Sequence, residues 1–152
     1  MNHEKVEKLR RRGFLMTTGA AACSWGLAAC MHSNAARIVS PAVVAGTIHL
    51  KVADQPELAT VGGAIKLKPA GLNDTILLWR SSPSEFAATS IVCTHMGCEV
   101  EVAEGGGSLA CPCHGSQFGA DGSVRHGPAG RPLRRYVVDT SADQAELTVH
   151  LS

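Results

Sequence analysis

Four cysteines and two histidines sit in two short segments, Cys93-Thr94-His95-Met96-Gly97-Cys98 and Cys111-Pro112-Cys113-His114-Gly115-Ser116, spaced so that one metal site can collect them. One residue lies between Cys93 and His95, two lie between Cys111 and His114, and fifteen lie between His95 and Cys111. Two thiolates and two neutral imidazoles make a mixed soft and borderline donor set. That set suits a [2Fe–2S] cluster with cysteines on one iron and histidines on the other. Structural zinc also uses cysteine and histidine, but zinc ribbons and fingers supply ligands as C-x2-C or H-x3–5-H pairs, a pattern absent here. A framework of disulfides alone leaves unexplained why a histidine follows each outer cysteine so closely.

The elements that must carry these segments read as short β-strands over 47–52, 64–68, 75–80, 86–92, 99–103, 136–139 and 146–151, closely punctuated by glycine and proline. The last alternates cleanly, with Ala145, Leu147, Val149 and Leu151 on one face and Glu146, Thr148 and His150 on the other, as expected of a sheet with one wet face. No convincing amphipathic helix follows the first thirty residues. The expected fold is therefore all-β, an antiparallel sandwich with the two metal-binding loops at one end. A β domain of this size buries only a modest core, so metal coordination contributes to holding its glycine-rich loops.

The 152 residues are 45% hydrophobic and 18% charged, which fits one soluble domain with a small appendage. The net charge of +1 hides an asymmetry: residues 1–29 hold five Lys/Arg against two acids, leaving nine against eleven in the remainder. With the basic surplus in the leader and no basic stripe in the folded part, a nucleic-acid partner is not expected. The G-x-S-x-G, P-loop and G-x-G-x-x-G patterns are absent. Gly105-Gly106-Gly107 reads as a flexible loop between the metal-binding halves rather than a phosphate cradle. Glu99, Glu101 and Glu104 form an acidic group and Arg131, Arg134 and Arg135 a basic one. Both read as solvated strand faces, with docking of a redox partner as the alternative. His32, His49, His126 and His150 have no partner at ligand spacing.

Residues 1–30 read as an export signal. A charged stretch ends in Arg10-Arg11-Arg12, and nineteen uncharged residues follow, from Gly13 to Met31. Arg11-Arg12-x-Phe14-Leu15 looks like a twin-arginine motif. That route exports folded proteins, as a cluster inserted in the cytoplasm requires. Leu27-Ala28-Ala29-Cys30 resembles a lipoprotein processing site in which Cys30 becomes lipidated. The alternative is an uncleaved anchor, but the run is only weakly hydrophobic for permanent insertion. Cys23 is assigned no chemistry. Residues 31–45 read as a linker and 46–152 as the metal-binding domain, tethered in either case at the periplasmic face of a bacterial cytoplasmic membrane.

From C-T-H-x-G-C at 93–98, C-P-C-H-G-S at 111–116, and Gly127-Pro128-Ala129 followed by Pro132-Leu133, the region from about 46 to 151 resembles Rieske iron–sulfur proteins of cytochrome bc and related complexes. The resemblance implies one [2Fe–2S] cluster per chain, with Cys93 and Cys111 on the buried iron and His95 and His114 on the outer iron. It implies a Cys98–Cys113 disulfide between the loops, and shielding of the cluster by a proline loop at Gly127 and Pro128. In the family a serine at the place of Ser116 donates its hydroxyl to a cluster sulfur, and a tyrosine two positions later donates to a cysteine sulfur. Phe118 stands in the tyrosine's place without a hydroxyl, so a potential below that of tyrosine-bearing members is expected.

Replacing two thiolates by neutral imidazoles makes a cluster less negative and raises its potential to a quinol-compatible range. Oxidation also acidifies the histidine N–H groups, linking electron loss to proton loss. The implied function is electron transfer in a quinol:cytochrome c type oxidoreductase, with quinol and a cytochrome c as partners. The alternatives are the small subunit of another exported oxidoreductase such as an arsenite-oxidase-like enzyme, a free-standing carrier, or a zinc-bound structural lipoprotein.

Overall fold

A computed structural model describes residues 36–152. The expectations placed on Cys30 and on Arg11 and Arg12 lie outside the described residues. Among those residues no helix is long and apolar enough to cross a membrane.

Eleven strands are found there: β1 (Arg37–Val39), β2 (Thr47–Lys51), β3 (Ala64–Leu67), β4 (Ile76–Ser82), β5 (Glu85–Ser90), β6 (Glu101–Val102), β7 (Ser108–Ala110), β8 (Gln117–Gly119), β9 (Val124–His126), β10 (Arg135–Thr140) and β11 (Glu146–His150). The larger sheet runs β1-β3-β4-β5-β10-β11-β2 and the smaller one β6-β7-β8-β9. The only helical pieces described are two 3-10 turns, Val52–Asp54 and Pro56–Ala59. The all-β expectation thus holds.

Alternation in β11 does what its sequence indicates: Leu147 and Val149 turn inward, in register with Leu50 and Ile48 of β2. The edge strand β2 and the far strand β3 both feed the same apolar cluster through Ile48, Leu50 and Ile65. The larger sheet therefore curls around its own core. β4 is the hinge between this core and a second one. Its unbroken run Ile76-Leu77-Leu78-Trp79 is buried throughout, with Ile76 and Leu78 in the first core and Leu77 and Trp79 in the second. A strand covered on both faces needs a continuous apolar run. The second core lies under the small sheet, where Trp79, Leu109 and Phe118 meet Cys93 and Cys111.

Several expectations need correction. Within 31–45, read as linker, Arg37–Val39 forms β1 and pairs parallel with β3; the other strand pairings are antiparallel. Arg37 secures this edge through Glu57 (2.7 Å) and Gln55 (2.7 Å) on the second 3-10 turn and its cap. The strand expected over 99–103 contracts to Glu101–Val102, and β7, β8 and β9 were not expected. Three residues are too few to display a period of two. The glycine turn at 105–107 is anchored, not loose. The Trp79 indole N–H donates to the Gly106 carbonyl at 2.8 Å, and a Cβ on Gly106 would lie 2.7 Å from Val61 Cγ1 and 2.8 Å from the Gly62 nitrogen.

Candidate metal centre

The two metal-binding segments fold as copies of one loop. In the first, the Cys93 N–H donates to the Cys98 carbonyl at 2.7 Å and the Gly97 N–H to the Cys93 carbonyl at 2.9 Å. In the second, the Cys111 N–H donates to the Ser116 carbonyl at 2.8 Å and the Gly115 N–H to the Cys111 carbonyl at 3.0 Å. Both loops reverse at a glycine in the left-handed region, φ +79° at Gly97 and +76° at Gly115, where a side chain would be strained. Each loop is closed at its base by strand pairing, Val92 with Glu99 in one and Ala110 with Gln117 in the other. The different offsets of the histidines, two and three residues past the first cysteine, are thus two positions on one repeated frame.

That frame sorts the ligand candidates by depth. Cys93 and Cys111 are free thiols, each 2% exposed, among the side chains of the second core. The Cys93 side chain interacts with the Cys111 thiol. Burial pushes the Cys111 thiol up, opposed by the N–H groups of Cys113 and His114 that point at its sulfur. His95 and His114 are exposed at the tip, with ring centroids 4.8 Å apart and planes at 86°. Two buried sulfurs beneath two outward imidazoles is the asymmetric arrangement that a cluster with unlike irons needs, and backbone N–H groups aimed at sulfur favour thiolate.

Cys98 and Cys113 form a disulfide that ties one loop to the other. The sulfurs of Cys98, Cys111 and Cys113 lie within 4.8 Å of one another. As a metal site this trio fails, because two of its sulfurs are spent on the S–S bond, leaving Cys111 alone with a thiol. The bridge is better understood as a clamp beside the cradle.

The segment after β9 closes a third side. Ser116 is fully buried, and its hydroxyl oxygen accepts the Ala129 N–H at 3.0 Å, fixing Gly127-Pro128-Ala129 against the second loop. Among the described residues no side chain or carbonyl takes the Ser116 hydroxyl proton. Thr94 donates its hydroxyl to the Arg131 carbonyl at 2.6 Å, binding the first loop to the same segment. Phe118 is fully buried and packs among the second-core side chains.

Sequence reasoning missed a polar brace behind the first loop. The Tyr136 hydroxyl donates to Asp74 Oδ2 at 2.7 Å, Ser90 donates to Asp74 Oδ1 at 2.8 Å, and the Val92 N–H donates to Ser90 Oγ at 3.2 Å. No local pattern marks Asp74 for this role, since its partners lie on β5 and β10. The basic group also divides: Arg135 begins β10, whereas Arg131 and Arg134 lie in the preceding segment. Arg134 extends over the Tyr136 ring at 4.9 Å. Of the acidic group, Glu99 is paired with Lys66 at 2.6 Å. His126 is exposed.

Residues 43–137 match the family model of the Rieske [2Fe-2S] domain. The chain is similar to cytochrome b6-f complex iron-sulfur subunits. It is 38% identical over 66 residues to that of Chlorobaculum tepidum, covering 43% of this chain and 36% of the relative. It is 45% identical over 53 residues to that of Gloeobacter violaceus, covering 35% and 28%. The matched part thus spans about a third of these relatives' length. Among solved structures, the plasma membrane Rieske protein PetC3 of Synechocystis PCC 6803 aligns at 30% identity with TM-score 0.51, over 65% of this chain and 93% of that one. The soluble domain of Rieske protein II from Sulfolobus acidocaldarius, at 19% identity and TM-score 0.52, shares the fold. A repeated loop frame that buries two thiols and presents two imidazoles, within a segment matched almost throughout by one family model, leaves a single assignment: this chain belongs to the Rieske [2Fe–2S] family and is an electron-transfer protein.

Proposed function

We propose that this chain is the iron–sulfur subunit of a quinol:cytochrome c type oxidoreductase, working at the periplasmic face of a bacterial cytoplasmic membrane. Cys93 and Cys111 bind the inner iron and His95 and His114 the outer one, and the bound [2Fe–2S] cluster carries one electron at a time at high potential. The observation that carries this reading is the pair of exposed imidazoles set edge to face over two buried thiols. His95 or His114 accepts the hydrogen bond of a quinol hydroxyl and later meets the acceptor, a cytochrome c, at the same tip. Ser116 and the segment at Gly127 and Pro128 keep water from the inner side. The chain's similarity to cytochrome b6-f iron-sulfur subunits supports the quinol side, and the interloop disulfide supports an oxidising compartment. Arg11 and Arg12 direct export of the folded protein by the twin-arginine route, the stretch between Cys30 and β1 forms the tether, and lipidated Cys30 holds it to the membrane.

The test is purification from native membranes with a C-terminal tag, followed by electron paramagnetic resonance of the reduced sample and protein identification. Cytochromes b and c in the preparation, with a histidine-ligated [2Fe–2S] signal, are the expected result. A molybdenum-containing partner, or no partner, replaces this reading with that of a subunit of another exported oxidoreductase or a free carrier. Release of the protein into the soluble fraction by Cys30→Ser tests the lipid tether separately.

A further inference from the structure

We propose that the groove flanking the first loop is a docking surface for a redox protein whose surface around its own electron-carrying group is acidic. This inference deepens the proposed function and rests on His95 and His114 being the outward ligands. The groove is an open cavity of about 660 Å³, walled by Val92, Cys93, Thr94 and Gly97 of the first loop and by Arg131, Pro132 and Arg134. No carboxylate lines it. Glu99, which pairs with Val92 at the base of the loop, is engaged by Lys66.

The distribution of charge gives the surface its direction. From 122 to 138 the chain carries Arg125, Arg131, Arg134 and Arg135 and no acid, whereas 36–121 and 139–152 together carry five basic residues and eleven acids. The metal-binding loops themselves, 93–98 and 111–116, hold no charged residue apart from their histidines. The positive groups that line the groove are Arg131 and Arg134. Arg131 is positioned through its carbonyl, which accepts from Thr94. Arg134 lies over Tyr136 and spends one N–H on the Leu151 carbonyl, so its orientation is set while other donors stay available. Among the described residues neither arginine is paired with a carboxylate. Val92 in the groove wall is 44% exposed, and Met96, next to His95 in the same loop, is 70% exposed. A partner brought to His95 or His114 lays its rim over this groove. Its carboxylates would meet the guanidinium groups of Arg131 and Arg134, the latter held in place over Tyr136, and electrostatic steering of this kind raises encounter rates by about 10- to 1,000-fold and fades with salt.

The test uses the full-length, cluster-bearing protein and two forms of one probe, a lysine-rich cytochrome c and the same cytochrome with its lysines succinylated to carboxylates. Oxidation of the reduced protein is followed by stopped flow, and binding by calorimetry, at about 10 mM and about 0.5 M salt. The acidic form is expected to oxidise the protein at least about tenfold faster at low salt, with the advantage lost at high salt. Arg131→Gln combined with Arg134→Gln should weaken binding of the acidic form and slow its reaction about five- to tenfold, without slowing the unmodified cytochrome. Arg134→Lys should retain most of the rate, and reduction potentials should be unaltered. Faster oxidation by the unmodified form, or equal slowing of both forms by the double variant, would overturn the proposal. Arginine-dependent binding of the acidic form by a protein without a histidine-ligated [2Fe–2S] signal would instead sink the ligand assignment and leave the docking surface standing.

Discussion

Replacing Ser116 by alanine separates two jobs of one hydroxyl. Its oxygen accepts the Ala129 N–H at 3.0 Å, and the residue is fully buried. In Ser116→Ala that N–H is left without a partner in a dry site, which costs about 1–3 kcal/mol. The hydroxyl proton, free of any acceptor among the described residues, donates in our reading to sulfur in the bound cluster, most strongly when the cluster is reduced and more negative. A hydrogen bond to a charged acceptor is worth roughly 1.5–3 kcal/mol. For a one-electron couple about 1.4 kcal/mol corresponds to ~59 mV, so removing the bond from the reduced form alone bounds the drop at roughly 60–130 mV. Because the oxidised form also benefits from the bond, the expected drop is a fraction of that bound, some tens of millivolts. Electron paramagnetic resonance during a redox titration measures the potential, and urea unfolding followed by visible circular dichroism measures stability. Lost stability with an unchanged potential would refute donation to the cluster and leave Ser116 only the task of holding the proline loop. A raised potential would refute the electrostatic argument altogether.

Phe118→Tyr returns the missing hydroxyl at a fully buried position in the second core. The potential should rise by some tens of millivolts on the same reasoning, and an unchanged or lowered value in a redox titration counts against it. Cys98→Ser with Cys113→Ser opens a bridge between residues 15 apart, whose closure is worth about 3 kcal/mol. Cluster absorbance should bleach at lower urea, and coincident unfolding curves would mean that coordination and hydrogen bonds alone hold the loops. Tyr136→Phe tests the brace behind the first loop. Burial, then the hydrogen bond to Asp74 and its charge, push the phenol pKa up, so the unfolded chain releases this proton near pH 10 while the folded one keeps it. The phenol's contribution is complete below about pH 10 and is lost as pH rises beyond it. The variant should be less stable at neutral pH by about 1–3 kcal/mol and show a shallower alkaline decline; parallel curves for the two proteins from pH 7 to 11 would contradict this.

The metal centre is the part of this protein most legible in its amino-acid order. Chemistry demands particular donor atoms, and each loop is so short that Cys93 and His95, or Cys111 and His114, must share one neighbourhood wherever the strands go. β11 was equally readable, since Leu147 and Val149 alternate with polar neighbours across a half-buried sheet. β4 was readable as a strand, yet its Ile-Leu-Leu-Trp run hides that it serves two cores, because a continuous apolar run carries no period to assign faces. β7, β8 and β9, at three residues each, fall below the length at which alternation means anything.

Residue order by itself therefore determined the candidate donor set and the β character, both matters of local covalent chemistry and short-range patterning. Only the tertiary structure decided that the two loops repeat one frame, that β1 joins the sheet edge, and that Ser116 meets Ala129, Thr94 meets Arg131, and Asp74 joins Tyr136 to Ser90. It also set His95 and His114 rings 4.8 Å apart and brought Arg131 and Arg134 beside the first loop. These are contacts between segments far apart in the chain, whose registers follow from burying two apolar cores at once, and no local pattern encodes them.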